Sequence, residues 1–155
     1  MHMKTFLIPD IAHLDDFAGK TFCALAEKKK EKRAVVVAAR GELGAGKTAF
    51  ARALAKHAGV REPVSSPTFV IARGHEIAPG GAFSRFVHID AYRLGEKSET
   101  APLRFTAMFS DPETLAYVEW PENIAHEIPA DAYTISFRIA GGEAREIKTD
   151  IPVSV

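Results

Sequence analysis

Apolar positions along this chain fall in blocks whose period changes from one block to the next. Thr5 to Ile8 is a short apolar piece closed by Pro9 and Asp10, which predicts a strand. From about Leu14 to Lys30, Ala18, Phe22, Leu25 and Ala26 recur at helical spacing, so a helix follows. The run Lys28, Lys29, Lys30, Glu31, Lys32, Arg33 is expected to close that helix as solvated cations, favourable at a helix C-terminus. Cys23 falls mid-helix and reads as a packed thiol rather than a nucleophile. Val35 to Ala39 is apolar throughout, the pattern of a strand covered on both faces. Lys47 to His57 returns to helical period, with Phe50, Leu54 and Ala58 on one side and Gly59 as the stop.

The second half predicts mostly strands. Thr68 to Glu76 and Ser84 to Asp90 flank the loop Ala78-Pro79-Gly80-Gly81-Ala82 and read as a hairpin. Ser98 to Phe109, with Leu103, Ala107 and Met108 in helical register, predicts a helix that starts near Pro102 and is broken by Asp111-Pro112. Thr114 to Val118 is another buried strand, and Ala132 to Ala140 with Glu143 to Ile151 forms a terminal hairpin about Gly141-Gly142.

Composition narrows the class. A chain of 155 residues, 46% hydrophobic, supports one buried core, expected over residues 4–155, with Met1, His2 and Met3 read as a cloning remnant. Twenty basic and twenty acidic residues cancel, so no overall field favours nonspecific adhesion to nucleic acid or to an anionic membrane. A single cysteine excludes an internal disulfide or a cysteine-cluster metal site and suits a reducing compartment. With no apolar run near the roughly 20 residues of a spanning helix, the expected location is the cytoplasm, without membrane contact.

The chemistry is concentrated between the two central elements. Gly41, Glu42, Leu43, Gly44, Ala45, Gly46, Lys47 and Thr48, followed by Ala49, spell a phosphate-binding loop between a strand and a helix. Its glycines let successive N–H groups point inward, the helix N-terminus favours an anion, Lys47 reaches the β/γ-phosphates and Thr48 offers a hydroxyl to Mg²⁺. A nucleoside triphosphate with Mg²⁺ is therefore the expected ligand. The turn-rich stretch Arg61 to Thr68, with Ser66, Pro67 and Thr68, reads either as a switch sensing the γ-phosphate or as a proline-stiffened linker. Two apolar strands end in acids, Asp90 and Glu119, and acids so placed can meet at the carboxyl edge of one sheet. Asp90 has the position of a Walker B carboxylate, and His88, on the same side of its strand, reads as a hydrogen-bonding core histidine. Trp120 reads as packing with a polar handle that could also desolvate the neighbouring carboxylate. Arg93 is a candidate arginine finger in cis, and the Pro9 to Ala12 turn is a candidate for adenine contact.

The stretches GELGAGKT at 41 to 48, SSPTF at 65 to 69, HIDAYRL at 88 to 94 and VEWPENI at 118 to 124 together resemble the TsaE (YjeE) family of bacterial tRNA threonylcarbamoyladenosine biosynthesis. The resemblance implies that Lys47 and the Gly44 to Thr48 backbone hold the phosphates and that Thr48 and Glu119 lie at Mg²⁺. It also implies that Asp90 is the essential Walker B-like acid and Thr68 a switch-loop threonine. On that basis Lys47, Asp90 and Glu119 are the catalytic candidates, and Thr48, Asp90 and Glu119 the metal candidates. The resemblance further implies an ATPase whose hydrolysis of ATP supports the TsaD and TsaB proteins as partners, with tRNA met indirectly through their complex. Arg145, where the family tends to carry basic residues, reads here as a solvated strand-face arginine. The expected fold is α/β: a single-domain P-loop NTPase-like three-layer fold, with a mixed sheet flanked by helices and a C-terminal β-hairpin. Two rival functions share these motifs, a small-molecule kinase and a nucleotide-gated interaction module that needs no hydrolysis.

Overall fold

Val35 to Ala39 are all buried because β2 (Val35–Arg40) runs through the middle of a seven-stranded sheet. The computed structural model describes residues 2–64, 71–94 and 103–154. Parallel pairing builds the centre. β2 lies between β5 (Thr114–Glu119) and β6 (Tyr133–Gly141), and β5 pairs on its other side with β4 (Arg85–Asp90). Antiparallel strands close both flanks: β3 (Ala72–Glu76) on β4, and β7 (Ala144–Thr149) between β6 and β1 (Lys4–Ile8). The order is β1-β7-β6-β2-β5-β4-β3, the mixed sheet expected from the sequence.

The period of two along each central strand sorts its side chains into two cores. Val35, Val37 and Ala39, with Leu115 and Tyr117, face α1 (Ile11–Glu27) and α2 (Lys47–Ala58). Val36, Val87, Ile89, Ala116 and Val118 face the opposite layer, formed by α3 (Phe105–Phe109) and the 3₁₀ turn Pro121–Ile124. This gives three layers, the last of them slender, with Phe105 and Phe109 stacked at 6.0 Å.

Several boundaries differ from the sequence reading. α1 starts at Ile11 behind the N-cap Asp10, whose carboxylate accepts from the His13 N–H at 2.9 Å, and it stops at Glu27. The cationic run therefore lies beyond the helix, where it ties loops together: Lys29 pairs with Glu113, while Lys30 and Arg33 reach Asp131 at 2.5 and 3.1 Å. Specific carboxylates rather than the helix end receive these charges. Cys23 is exposed, not packed, because the buried stripe of α1 passes through Thr21, Ala24 and Leu25 and leaves it on the outer side. Arg104 takes a left-handed φ of 54°, so α3 begins only at Phe105 and is five residues long, and Ser98 to Pro102 of the expected helix lie outside the described residues. β3 is seen from Ala72, and Thr68 to Val70 lie outside the described residues. The terminal hairpin turns at Gly141 and Gly142, with φ of 125° and 55° and a register shift between Ile139 and Gly141. No helix among the described residues is long and apolar enough to cross a membrane.

Candidate functional site

The loop between β2 and α2 is shaped by glycines at positions other residues resist. Gly41, Gly44 and Gly46 have φ of 144°, 78° and 108°. At Gly41 a Cβ would also lie 2.7 Å from the Phe137 carbonyl oxygen on β6. Gly46 precedes α2 without a side-chain cap, so the first-turn N–H groups of that helix are left for an anion. Tyr117, fully buried on β5, donates its hydroxyl to the Lys47 carbonyl at 2.8 Å and fixes the start of α2 to the sheet. Burial pushes the Tyr117 phenol well above its ordinary range, with the Glu119 charge adding to it, so it remains a donor.

Lys47 is buried, and its ammonium donates to the carbonyls of Gly41 and Glu42, the latter at 3.1 Å. It also stands 4.1 Å from the centroid of the Trp120 ring. Trp120 reaches that place through a left-handed φ of 57°. Burial pulls the Lys47 ammonium below its ordinary value, against the opposing charges of Glu119, Glu122, Asp90 and Glu42. Arriving phosphate oxygens would replace the carbonyls as its acceptors and relieve that penalty.

The two strand-ending acids do meet. Parallel pairing of β4 and β5 makes Asp90 and Glu119 direct register partners at the carboxyl edge of the sheet. Glu119 is 2% exposed and accepts from the Thr48 hydroxyl, with Oγ1 3.0 and 3.2 Å from its two oxygens. His88 Nε2 lies 2.5 Å from Glu119 Oε2, so His88 is the hydrogen-bonded core histidine expected. Asp90 is only partly buried and accepts the Tyr92 N–H at 3.1 Å. Burial raises its carboxyl above the ordinary range and Glu119 reinforces the shift, while the Tyr92 hydrogen bond, His88 and Lys47 oppose it.

These groups surround a cavity of about 490 Å³, lined by Glu42 to Gly44, Gly46 to Ala49, Asp90 and Glu119. Gly41 and Ala45 do not line it. Gly41 lies against β6 and Ala45 is buried under the loop. Tyr92, Arg93, Trp120 and Arg145 complete the wall. Ser66, Pro67 and Thr68 lie outside the described residues.

Arg145 requires a correction. Rather than a solvated strand-face residue, its guanidinium donates to the carbonyls of Gly142 at 2.8 Å, Ala144 at 3.0 Å and Gly44 at 3.2 Å. It lines the main cavity and also a neighbouring one of about 170 Å³. That second cavity is walled by Ile8, Asp10, Ile11 and Leu14, and Gly46 and Ala49 border both spaces. Asp10 and Ile11 of the Pro9 to Ala12 turn thus stand beside the loop. The family's tendency to carry basic residues there pointed to Arg145, but its contact with the loop was not legible, because its place depends on β7 folding back along β6 beside the loop.

Among the described residues no cluster of three His, Cys, Asp or Glu side chains could hold a metal unaided. Thr48, Asp90 and Glu119 are all oxygen donors, a set that suits a hard cation sharing its remaining positions with phosphate and water.

A family model described as threonylcarbamoyl adenosine biosynthesis protein TsaE matches residues 11–147. A Streptomyces coelicolor protein named tRNA threonylcarbamoyladenosine biosynthesis protein TsaE is 42% identical over 110 residues, which are 70% of this chain and 72% of that protein. A Bacillus subtilis protein of the same name is 32% identical over 112 residues, 72% of this chain and 66% of that one. The crystal structure of Bacillus subtilis YdiB superposes with a TM-score of 0.73 at 24% identity, covering 97% of this chain and 86% of its own, and this likeness bears on the fold. The family match runs from the start of α1 into β7 and takes in the loop and both strand-ending acids, so the chain belongs to the TsaE family.

Proposed function

We propose that this chain binds ATP with Mg²⁺ and hydrolyses it as a component of the bacterial machinery that forms N6-threonylcarbamoyladenosine in tRNA. In this reading it works in the cytoplasm with TsaD and TsaB and meets tRNA only through their complex. One observation carries the proposal: Lys47 and Thr48 of the loop share a single cavity with the acids that end β4 and β5. Phosphoryl transfer to water asks a protein mainly for positioning and charge neutralisation, which is what these groups offer.

The triphosphate would lie across the uncapped first turn of α2, with Lys47 exchanging the Gly41 and Glu42 carbonyls for phosphate oxygens. The base would enter the smaller cavity, where Ile8, Ile11 and Leu14 supply apolar walls. Thr48, Asp90 and Glu119 would hold the metal ion, whose contribution is to neutralise phosphate charge. Because the Thr48 hydroxyl gives its proton to Glu119, its lone pairs are left for the cavity. Asp90, less enclosed than Glu119 and lining the cavity, is the better placed of the two acids to orient the attacking water.

The test measures phosphate released from ATP by the chain alone and with TsaD and TsaB, alongside binding of the chain to their complex. The expected result is slow release alone and faster release with the partners. Absence of both binding and stimulation overturns the proposal, and phosphate appearing on an added small-molecule acceptor rather than in water supports the kinase alternative.

A further inference from the structure

His88 is a buried polar group beside the site, and nothing in the proposed hydrolysis uses it. It is fully buried on β4, opposite Tyr117 in the parallel register, with the two rings in edge contact at 5.8 Å between centroids. Its Nε2 lies 2.5 Å from Glu119 Oε2, while its Nδ1 is buried without a hydrogen-bond partner among the described residues. A carboxylate can only accept, so this contact places a proton on Nε2. The unpartnered nitrogen is a cost. A buried polar atom left unsatisfied is destabilising, and an apolar residue such as the neighbouring Phe86 or Ile89 would avoid it.

What the chain gains is control of Glu119. That carboxylate is 2% exposed, and among the described residues its hydrogen-bond donors are Thr48 Oγ1 and His88 Nε2. A buried acid served by Thr48 alone could rotate about its side-chain bonds, and Thr48 itself must address the nucleotide. His88 donates from β4 and Thr48 from the first turn of α2, so the two donors hold the carboxyl group between sheet and helix.

Resting on the ATP and Mg²⁺ reading of this cavity, we infer that His88 is a positioning residue whose Nε2–H holds Glu119 in the orientation that presents Thr48 and the carboxylate to a metal–nucleotide complex. It touches neither nucleotide nor metal and acts only through Glu119. Two replacements separate this role from simple packing. Glutamine can put an N–H donor near the place of Nε2, whereas leucine fills the space without one.

The experiment measures binding of a fluorescent ADP analogue with EDTA and with Mg²⁺, and ATP hydrolysis, for wild type, His88→Leu, His88→Gln, Glu119→Gln and the His88→Leu/Glu119→Gln pair. Thermal melts report folding in parallel. Outer hydrogen-bond partners of metal ligands typically contribute about 10- to 100-fold to metal affinity or activity. His88→Leu is therefore expected to lose about that factor in hydrolysis and in the tightening of nucleotide by Mg²⁺, with binding in EDTA unchanged. His88→Gln recovers most of the loss, and His88→Leu adds little in the Glu119→Gln background. A His88→Leu protein that keeps the wild-type Mg²⁺ dependence, a Gln variant no better than Leu, or full additivity with Glu119→Gln overturns the inference about His88. A wild-type protein that binds no nucleotide under either condition overturns the nucleotide reading itself, a result distinct from any of these.

Discussion

Replacing Gly41 by alanine adds one methyl group where the structure has no room for it. The new carbon would stand 2.7 Å from the Phe137 carbonyl oxygen, 3.3 Å from Phe137 Cβ and 3.4 Å from Ala45 Cβ. The oxygen cannot swing aside as a flexible side chain could. Phe137 follows Ser136, which pairs with Arg40 on β2, and Phe137 itself pairs with Ile147 on β7, so β6 or the loop must shift as backbone. Overpacking of this kind costs about 1–3 kcal/mol. A φ of 144°, a conformation reserved for glycine, adds about 1–3 kcal/mol more, for about 2–6 kcal/mol in total. Gly44 is the internal control: its φ is 78° and nothing lies within 4 Å of a Cβ, so Gly44→Ala bears only a left-handed penalty of about 1–2 kcal/mol. Gly142, with φ 55° and open space at the terminal hairpin, should cost about the same through the same cause. Urea unfolding of the three variants gives the stability order, and titration with an ATP analogue gives the functional one. Gly41→Ala is expected to be the least stable. Both loop variants should bind nucleotide poorly, and Gly142→Ala should bind it well. A Gly41→Ala protein as stable as Gly44→Ala would refute the claim that contact with β6 sets the shape of the loop.

Two further predictions concern charge. Burial raises the Asp90 carboxyl from 3.8, so the folded protein binds that proton more readily than the unfolded chain, and stability is lost as pH rises from 3.8 through the raised folded value. Asp90→Asn should therefore melt above wild type at neutral pH, with the difference closing below about pH 3.8, while phosphate release is abolished; a variant that melts lower at neutral pH contradicts the sign. Arg145→Ala removes a guanidinium that borders both cavities and bonds the Gly44 carbonyl. If it serves the nucleotide through charge-assisted hydrogen bonds of about 1.5–3 kcal/mol, calorimetry should show ATP binding weakened about 10- to 100-fold with the unfolding midpoint nearly unchanged.

How far the site could be read ahead of the structure depended on how local each signal was. The loop and its flanking strand and helix were legible because each is contiguous: glycines at fixed offsets, an unbroken apolar run, then Phe50 and Leu54 on one helical face. The convergence of Asp90 and Glu119 was also within reach, since both end apolar strands, but their direct pairing depends on the parallel register of β4 with β5. Contacts made across the strand order were not legible. Arg145 meets the loop only because β7 returns beside β6, and Lys47 meets Trp120 only because a residue after Glu119 adopts a left-handed backbone. The cationic run misled for a similar reason: its partners Glu113 and Asp131 are distant in sequence, so composition alone assigned it to the nearest helix end. His88 was placed on the correct face by strand parity, whereas its bond to Glu119 is a diagonal neighbour across two strands.

The claim on which the rest depends is that one nucleotide spans both cavities over the loop. A crystal structure of the chain grown with ADP and Mg²⁺ measures it directly. The expected result is phosphates on the N–H groups of Gly44 to Thr48, with Lys47 turned from the Gly41 and Glu42 carbonyls toward them and the base against Ile8, Ile11 and Leu14. Nucleotide bound elsewhere, or phosphates on the loop with the base directed away from the α1 side, would contradict it.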